Sequence, residues 1–442
     1  DNEKRTLIRT ENRVILGDGT DLDLTLWYAS DPAVYSEFYG SDYRSDRSPE
    51  TSAYLKSGAD NRLFTVKGRF DLNDFSYLDN RAQAPFFVEQ LPLATFDWFS
   101  EPILDMPWGA PLQLSSSTSL GQLDRNFDST VRFDQEFEVD SPFYLGPVGI
   151  RPWASARYTH YDNTVSGDSD ERWAFGAGVS AGTRLSNTWS SLDSDGNPQS
   201  LRHIIAPRVN FIQQFRVDGD PTDFIPYDRV DALDEGSVIQ LQIINILRRY
   251  QPQREDQVNN DFLYLDLTQN IHPNSNRDNN GSTLGLTEFE LILRPDDWLP
   301  VPKLGFLVEG EWDHEADEMR TFNSAMRLRD TLGIDWFAEY RTDSTADGTI
   351  GYGVSARTLD RWQIAGGSQY DLELNKSKNY SASLIRHDHD FSIYVQVTYD
   401  NISGETNFSI NFEPTVGGLF TTRRQRSNYA SRLYGSGRDA FF

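Results

Sequence analysis

Val131-Arg132-Phe133-Asp134-Gln135-Glu136-Phe137-Glu138-Val139 alternates without interruption: Val, Phe, Gln, Phe and Val at the odd positions, Arg, Asp, Glu and Glu at the even ones. A strand throws successive side chains to opposite faces, so this stretch has one apolar face and one charged face. Wound as a helix, the same residues would spread charge around the whole girth and bury nothing cleanly. The period of two predicts a strand.

Alternation of this kind also occurs in any antiparallel sheet with one wet face. Its recurrence over hundreds of residues is the informative feature. Leu63–Leu72 sets Phe64, Val66, Phe70 and Leu72 against Thr65, Lys67, Arg69 and Asp71. Trp173, Phe175, Ala177, Val179 and Ala181 alternate with Ala174, Gly176, Gly178, Ser180 and Gly182, a row of small residues that leaves room for another body against the wall. Residues 236–250 are rich in β-branched side chains and alternate as well. The last third is the cleanest, from Leu304, Phe306 and Val308 through Ile334, Trp336 and Ala338 to Phe391, Ile393, Val395 and Val397, closing on Phe408, Ile410 and Phe412. About 20–22 strands are expected. Tight connections (Asp330–Gly333, Thr358–Asp360) are expected to alternate with longer polar ones (Asp343–Gly348, Asp371–Lys378), as in an outer-membrane barrel. Pro207 is a candidate weak point in its ladder, because it lacks an amide donor. Residues 73–110, with Pro85, Pro92, Pro102 and Pro107, read as an irregular or lumenal segment. After Gly417-Gly418 the alternation stops, and 421–442 reads as a basic tail.

Composition agrees with this pattern. Of 442 residues only 38% are hydrophobic, below the usual globular share of about 45–50%, yet 13% are aromatic, with 27 Phe, 20 Tyr and 10 Trp. A polar lumen inside an apolar band with aromatic girdles explains both. The fold class expected is therefore all-β, a large antiparallel transmembrane barrel over 1–420, with Arg132, Asp134, Glu136 and Glu138 as candidate lumen-facing charges.

The net charge of −26 argues against nucleic acid as a partner. Cysteine is absent, which removes disulfides and thiolate metal sites. Asp168-Ser169-Asp170-Glu171, Asp218-Gly219-Asp220 and Asp231-Ala232-Leu233-Asp234-Glu235 read as solvated loop tips, since none has EF-hand spacing; cation binding that bridges lipid phosphates is the competing idea. His387-Asp388-His389-Asp390 falls at a turn and reads as a polar hairpin rather than a metal site. Carboxylate pairs suited to a glycosidase arise by chance among 67 acidic residues, and there is no phosphate loop, nucleophile elbow or catalytic cysteine. No enzyme and no cofactor is expected.

Several stretches together resemble the barrel of the LPS-assembly protein LptD (organic-solvent-tolerance) family. They are Leu24–Tyr35, a strand running into Ser30-Asp31-Pro32-Ala33-Val34-Tyr35; Glu37-Phe38-Tyr39; Ala53-Tyr54-Leu55; Gln90-Leu91-Pro92; Leu201–Val209 around Pro207; Ile225-Pro226-Tyr227-Asp228; and Asn407–Phe420 as the last strand. Family members of the well-studied kind carry cysteines tying the barrel to an N-terminal jelly roll, and this chain has none. The jelly roll and first barrel strands are expected to lie ahead of residue 1. The resemblance implies a bacterial outer-membrane protein that inserts lipopolysaccharide into the outer leaflet through a seam between first and last strands. Its implied partners are lipopolysaccharide, outer-membrane lipids, an LptE-like lipoprotein plug and a periplasmic LptA-like bridge. Phe408, Ile410, Phe412 and Pro414 would then form one lip of the gate. Two other readings remain: a passive porin or substrate-specific channel, and a soluble all-β carbohydrate-binding protein or glycosidase.

Overall fold

The computed structural model describes residues 6–30, 50–70, 72, 88–125 (without 108), 128–192, 196, 198–250, 261–294 and 303–414 (without 331, 345, 360, 390 and 403). The tail at 421–442 and the motif at 31–39 lie outside the described residues. Those described form 23 strands in one antiparallel sheet, slightly more than the 20–22 expected. Helix among them is confined to a 3-10 turn at Pro221–Asp223 and one α-turn at Ser275–Asp278. The architecture is all-β, a single large antiparallel sheet of the kind that forms barrel walls. No helix among the described residues is long and apolar enough to cross a membrane, which says nothing of strands.

The chain divides into two compact units. The first comprises Asp1–Ser180 and Phe211–Ser237. It holds β1 (Leu7–Gly17), β2 (Thr20–Ala29), β3 (Thr51–Ala59), β4 (Arg62–Phe70), β5 (Glu89–Asp105), β6 (Pro111–Arg125) and β7 (Asp128–Asp140), each antiparallel to the next. The three-residue β8 (Phe143–Leu145) folds back on β9 (Val148–Tyr161), which pairs with β7. Most of β10 (Asp170–Thr183) follows. At the tip of the β1–β2 hairpin Gly19 has φ +73°, and a Cβ there would lie 2.3 Å from the Gly58 carbonyl oxygen, so only glycine fits.

The second unit comprises Ala181–Asn210 and Val238–Phe442. It holds β11 (Leu185–Leu192), paired with the start of β12 (Pro198–Val217), then nearly all of β13 (Gly236–Tyr250). A meander continues through β14 (Asp261–Ile271), β15 (Leu284–Leu293), β16 (Lys303–Asp313), β17 (Glu318–Arg329), β18 (Ile334–Asp343), β19 (Ala346–Leu359), β20 (Trp362–Asp371), β21 (Lys376–His387), β22 (Phe391–Asp400) and β23 (Thr406–Pro414).

Two expectations need correction. Most of the described part of 73–110 is strand: Glu89–Asp105 is a 17-residue strand, and a turn in which the Met106 amide donates to the Ala110 carbonyl remains irregular. Its prolines are absorbed by register shifts between Gln90 and Leu93, Trp98 and Glu101, and Pro102 and Leu104, so the missing amide donors fall at breaks in the ladder. The contrast of loop lengths expected late in the chain is also absent. β18 ends at Asp343 and β19 begins at Ala346, and β20 and β21 are separated by residues 372–375 alone. Their polar residues continue the strands instead of leaving them. Pro207 lies within the uninterrupted span of β12.

Burial runs opposite to that of a water-soluble sheet. On β7, Arg132, Asp134 and Asp140 are buried, while Val131 is 41% and Phe137 48% exposed. The charged face is the covered one and the apolar face the open one.

Candidate functional site: a strap over the charged face of β7, β9 and β10

The link between β12 and β13, residues 218–235, lies on the charged face of the first unit. Asp220 starts it with a capping box on Pro221–Asp223. Phe224, Ile225 and Tyr227 then turn inward and are all buried. Leu123 of β6 packs with Ile225 and Tyr227, and the Phe224 ring sits 4.7 Å from that of Tyr161 on β9.

Polar contacts hold the strap more specifically than this small apolar patch. Arg132, 3% exposed, donates from Nη1 to Asp231 Oδ1 at 2.7 Å and from Nη1 and Nη2 to the two oxygens of Asp228 at 3.0 and 2.5 Å. Asp231 is saturated: Tyr161 Oη donates to Oδ1 at 3.1 Å, and the amides of Tyr227 and Asp228 each donate to Oδ2 at 2.9 Å. Arg172 of β10, 2% exposed, donates to the carbonyls of Asp218 and Asp231, each at 3.0 Å, and of Leu233, with its guanidinium 4.8 Å from the Phe224 ring. Tyr227 Oη shares a hydrogen bond with Thr130 Oγ1 at 3.0 Å, and Arg125 donates to the Pro226 carbonyl at 2.7 Å. Buried charges are tolerable only when paired or fully hydrogen-bonded: Arg132 is paired with Asp228 and Asp231, and Arg172 is met by backbone carbonyls and the Phe224 ring. Burial is the largest influence on Asp228 and works against its charge, but the hydrogen bond and charge of Arg132, with the Val230 amide, together outweigh it and hold the carboxyl below the usual range.

Of the four candidate lumen-facing charges, Arg132 anchors the strap. The others pair along the sheet: Asp134 accepts from Thr159 at 2.7 Å, Glu136 pairs with Arg157, and Glu138 with Arg151. Asp231 corrects the expectation of a solvated loop tip, being 1% exposed, whereas Asp168, Asp170 and Asp234 are exposed. Nothing local in Asp231-Ala232-Leu233-Asp234-Glu235 distinguishes the buried acid. The one available signal was Ile225-Pro226-Tyr227, an apolar run inside an acidic loop. The small-residue row of β10 is filled from within the chain: a Cβ at Gly178 would lie 2.3 Å from the Phe211 carbonyl oxygen and 2.8 Å from the Trp153 ring.

In the second unit the polar face is strongly acidic. Glu288 stands directly opposite Glu311, and Glu290 opposite Glu309, around a recess of about 400 Å3 beside Gln242 and Asp266. Like charges in directly opposed positions repel; Glu311 is met by Arg320 at 3.8 Å and Glu309 accepts from Asn323 at 3.4 Å. Asp388, from the His387–Asp390 cluster, is ion-paired with Arg361 at 2.8 Å and Arg386 at 2.7 Å.

The apolar face of β20–β23 is organised in rows. Tyr352, Ser368, Tyr380 and Tyr399 stand opposite one another across β19–β22. Six residues further along β21 and β22, roughly 20 Å, runs a second row: Trp362, Arg386, Ile393 and Phe412. Between the rows this face carries only apolar residues or glycine, among them Leu384, Val395, Val397, Phe408 and Ile410. Phe408, Ile410 and Phe412 are 63–64% exposed, and β22 pairs with their strand through Pro414 at its end. In the first unit the apolar face likewise carries an aromatic chain, Phe133–Tyr158–Trp173–Phe175–Phe215, with ring centroids 4.8–6.4 Å apart.

No family model matches the chain, and no curated protein matches its sequence. Among solved structures it is similar to a mutant of the ferric enterobactin receptor from Pseudomonas aeruginosa in complex with enterobactin, at 8% identity and a TM-score of 0.29, over 92% of this chain and 72% of that one.

Proposed function

We propose that this chain forms the wall of a bacterial outer-membrane β-barrel and inserts lipopolysaccharide into the outer leaflet. The observation that carries the membrane reading is the inverted burial. Val131, Phe137, Trp336, Val397 and Phe408 are open while Arg132, Asp134, Asp231 and Arg172 are covered, and aromatic rows bound an apolar band close to the ~25 Å height of barrels in outer membranes. A soluble carbohydrate-binding protein or glycosidase would expose this band to water, where such patches drive aggregation.

The lipopolysaccharide reading rests on the resemblance of Leu24–Tyr35, Leu201–Val209, Ile225–Asp228 and Asn407–Phe420 to the LptD family. A polar, acidic face suits a sugar, and the exposed Phe408, Ile410 and Phe412 suit acyl chains passing a seam. An LptE-like plug and an LptA-like bridge belong to the same proposal. The strap over β7, β9 and β10 disfavours a permanently open porin.

Photocrosslinking residues at Phe408, Ile410 and Phe412, introduced singly in cells, test it. Adducts with lipopolysaccharide are expected at all three. Absence of adducts, together with steady ion conductance of the purified chain in planar bilayers, would favour the passive channel.

A further inference from the structure

Arg386 is the one charged residue in the outward row Trp362–Arg386–Ile393–Phe412. Its guanidinium lies 5.4 Å from the Trp362 ring centroid, and Nε donates to Asp388 Oδ2 at 2.7 Å. Arg361 donates from Nη1 to the other oxygen of the same carboxylate at 2.8 Å. Asp388 is 10% exposed, against 42% for Arg386 and 66% for Arg361. Two guanidiniums therefore share one carboxylate, an excess of one positive charge among the described residues of this cluster. The remaining nitrogens (Nη1 and Nη2 of Arg386, Nε and Nη2 of Arg361) have no hydrogen-bond partner among the described residues.

In a chain of net charge −26, Arg386 on the apolar face, with Arg361 in the turn beside it, is out of keeping with its surroundings. A charge on the lipid side of a barrel is costly at the bilayer midplane and nearly free at the interface. Arg386 stands at the edge of the apolar band, beside Trp362 and in register with Phe412, which is an interfacial position. Headgroup phosphates lie at that level, and guanidinium forks with spare donors match phosphate oxygens. Asp388 stays ionised, because its hydrogen bond from Arg386 holds it below the usual carboxylate range, so it fixes the two forks side by side.

Resting on the barrel reading above, we propose that Arg361 and Arg386, clamped by Asp388, bind the phosphate of an anionic phospholipid headgroup, with Trp362 at the glycerol level.

The test uses the whole chain folded in detergent micelles, with heat-modifiable gel mobility as the check on folding and native mass spectrometry as the readout. The wild type is expected to retain phosphatidylglycerol about tenfold over phosphatidylcholine, the equivalent of one charge-assisted contact. Arg361→Gln with Arg386→Gln is expected to erase the preference, while Lys378→Gln leaves it intact. Equal retention of the two lipids by the wild type, or an undiminished preference in the double variant, overturns the proposal. So does displacement of the lipid by millimolar inorganic phosphate, which would make the site one for the free ion. If the double variant does not fold, the wild-type ratio decides alone. A chain that never inserts into bilayers overturns the barrel reading along with the site; an inserted chain without lipid preference overturns the site alone.

Discussion

Arg132 and Asp231 are 99 positions apart in the chain and form an ion pair at 2.7 Å with both side chains out of contact with solvent. The pair joins the strand with the most regular alternation in the sequence to a link that alternation cannot describe. Removing Arg132 leaves Asp231 buried without its ion-pair partner, and breaking a buried pair in this way typically costs about 3–5 kcal/mol. Arg132→Ala is therefore expected to free residues 218–235 for proteolysis and to lower the temperature of the heat-modifiable transition. Asp231→Asn is expected to be milder than Arg132→Ala, because Arg132 keeps its pair with Asp228 and the amide oxygen can still accept from the Tyr227 and Asp228 amides. A strap as protease-resistant in Arg132→Ala as in the wild type would refute the anchor.

Acid should weaken the neighbouring Arg132–Asp228 contact. Asp228 is held below the usual carboxylate range by Arg132, so its contribution is present above its unfolded value of about 3.9 and is lost as pH falls through the lower folded value. Strap protection, read by hydrogen exchange of the Tyr227 and Val230 amides, is expected to be flat from pH 7 to about pH 5 and to fall below about pH 4. In Asp228→Asn this component of the acid loss should disappear.

Gly178 faces the Phe211 carbonyl oxygen and the Trp153 ring. Backbone cannot step aside as a flexible side chain can, so Gly178→Val is expected to overpack the wall and cost about 1–3 kcal/mol or more. Refolding yield in detergent is the measurement. Val179→Leu, at a neighbour on the open face, should have little effect.

Val397 is 41% exposed in the middle of the apolar band. If lipid covers it, Val397→Arg should destabilise the folded chain by about 2–4 kcal/mol. If water covers it, the change should stay within about 0.5 kcal/mol. Equilibrium unfolding of the chain in bilayers separates the two.

Much of the fold was legible because side-chain direction in a strand depends only on position parity. Val131–Val139, Leu63–Phe70 and Phe391–Tyr399 declared themselves from residue type alone, and all lie in strands. Prolines misled for a local reason. Pro92 and Pro102 were read as marks of an irregular segment, but a long strand tolerates a missing donor wherever its register shifts.

The site was far less legible. Arg132 was marked as a charge on the polar face, but its partners could not be read, since pairing across 99 residues depends on where the link after β12 is laid down. Asp231 and Asp234 look alike in the chain, and only the fold buries the first and leaves the second exposed.

Residue order alone settled the all-β class and the presence of two chemically opposite faces, because a two-residue period is a property of the local backbone. Which face is covered, which acid meets Arg132 and which ring fills the space above Gly178 were decided by tertiary structure. Burial and ion pairing depend on distances between segments, and no local pattern encodes those.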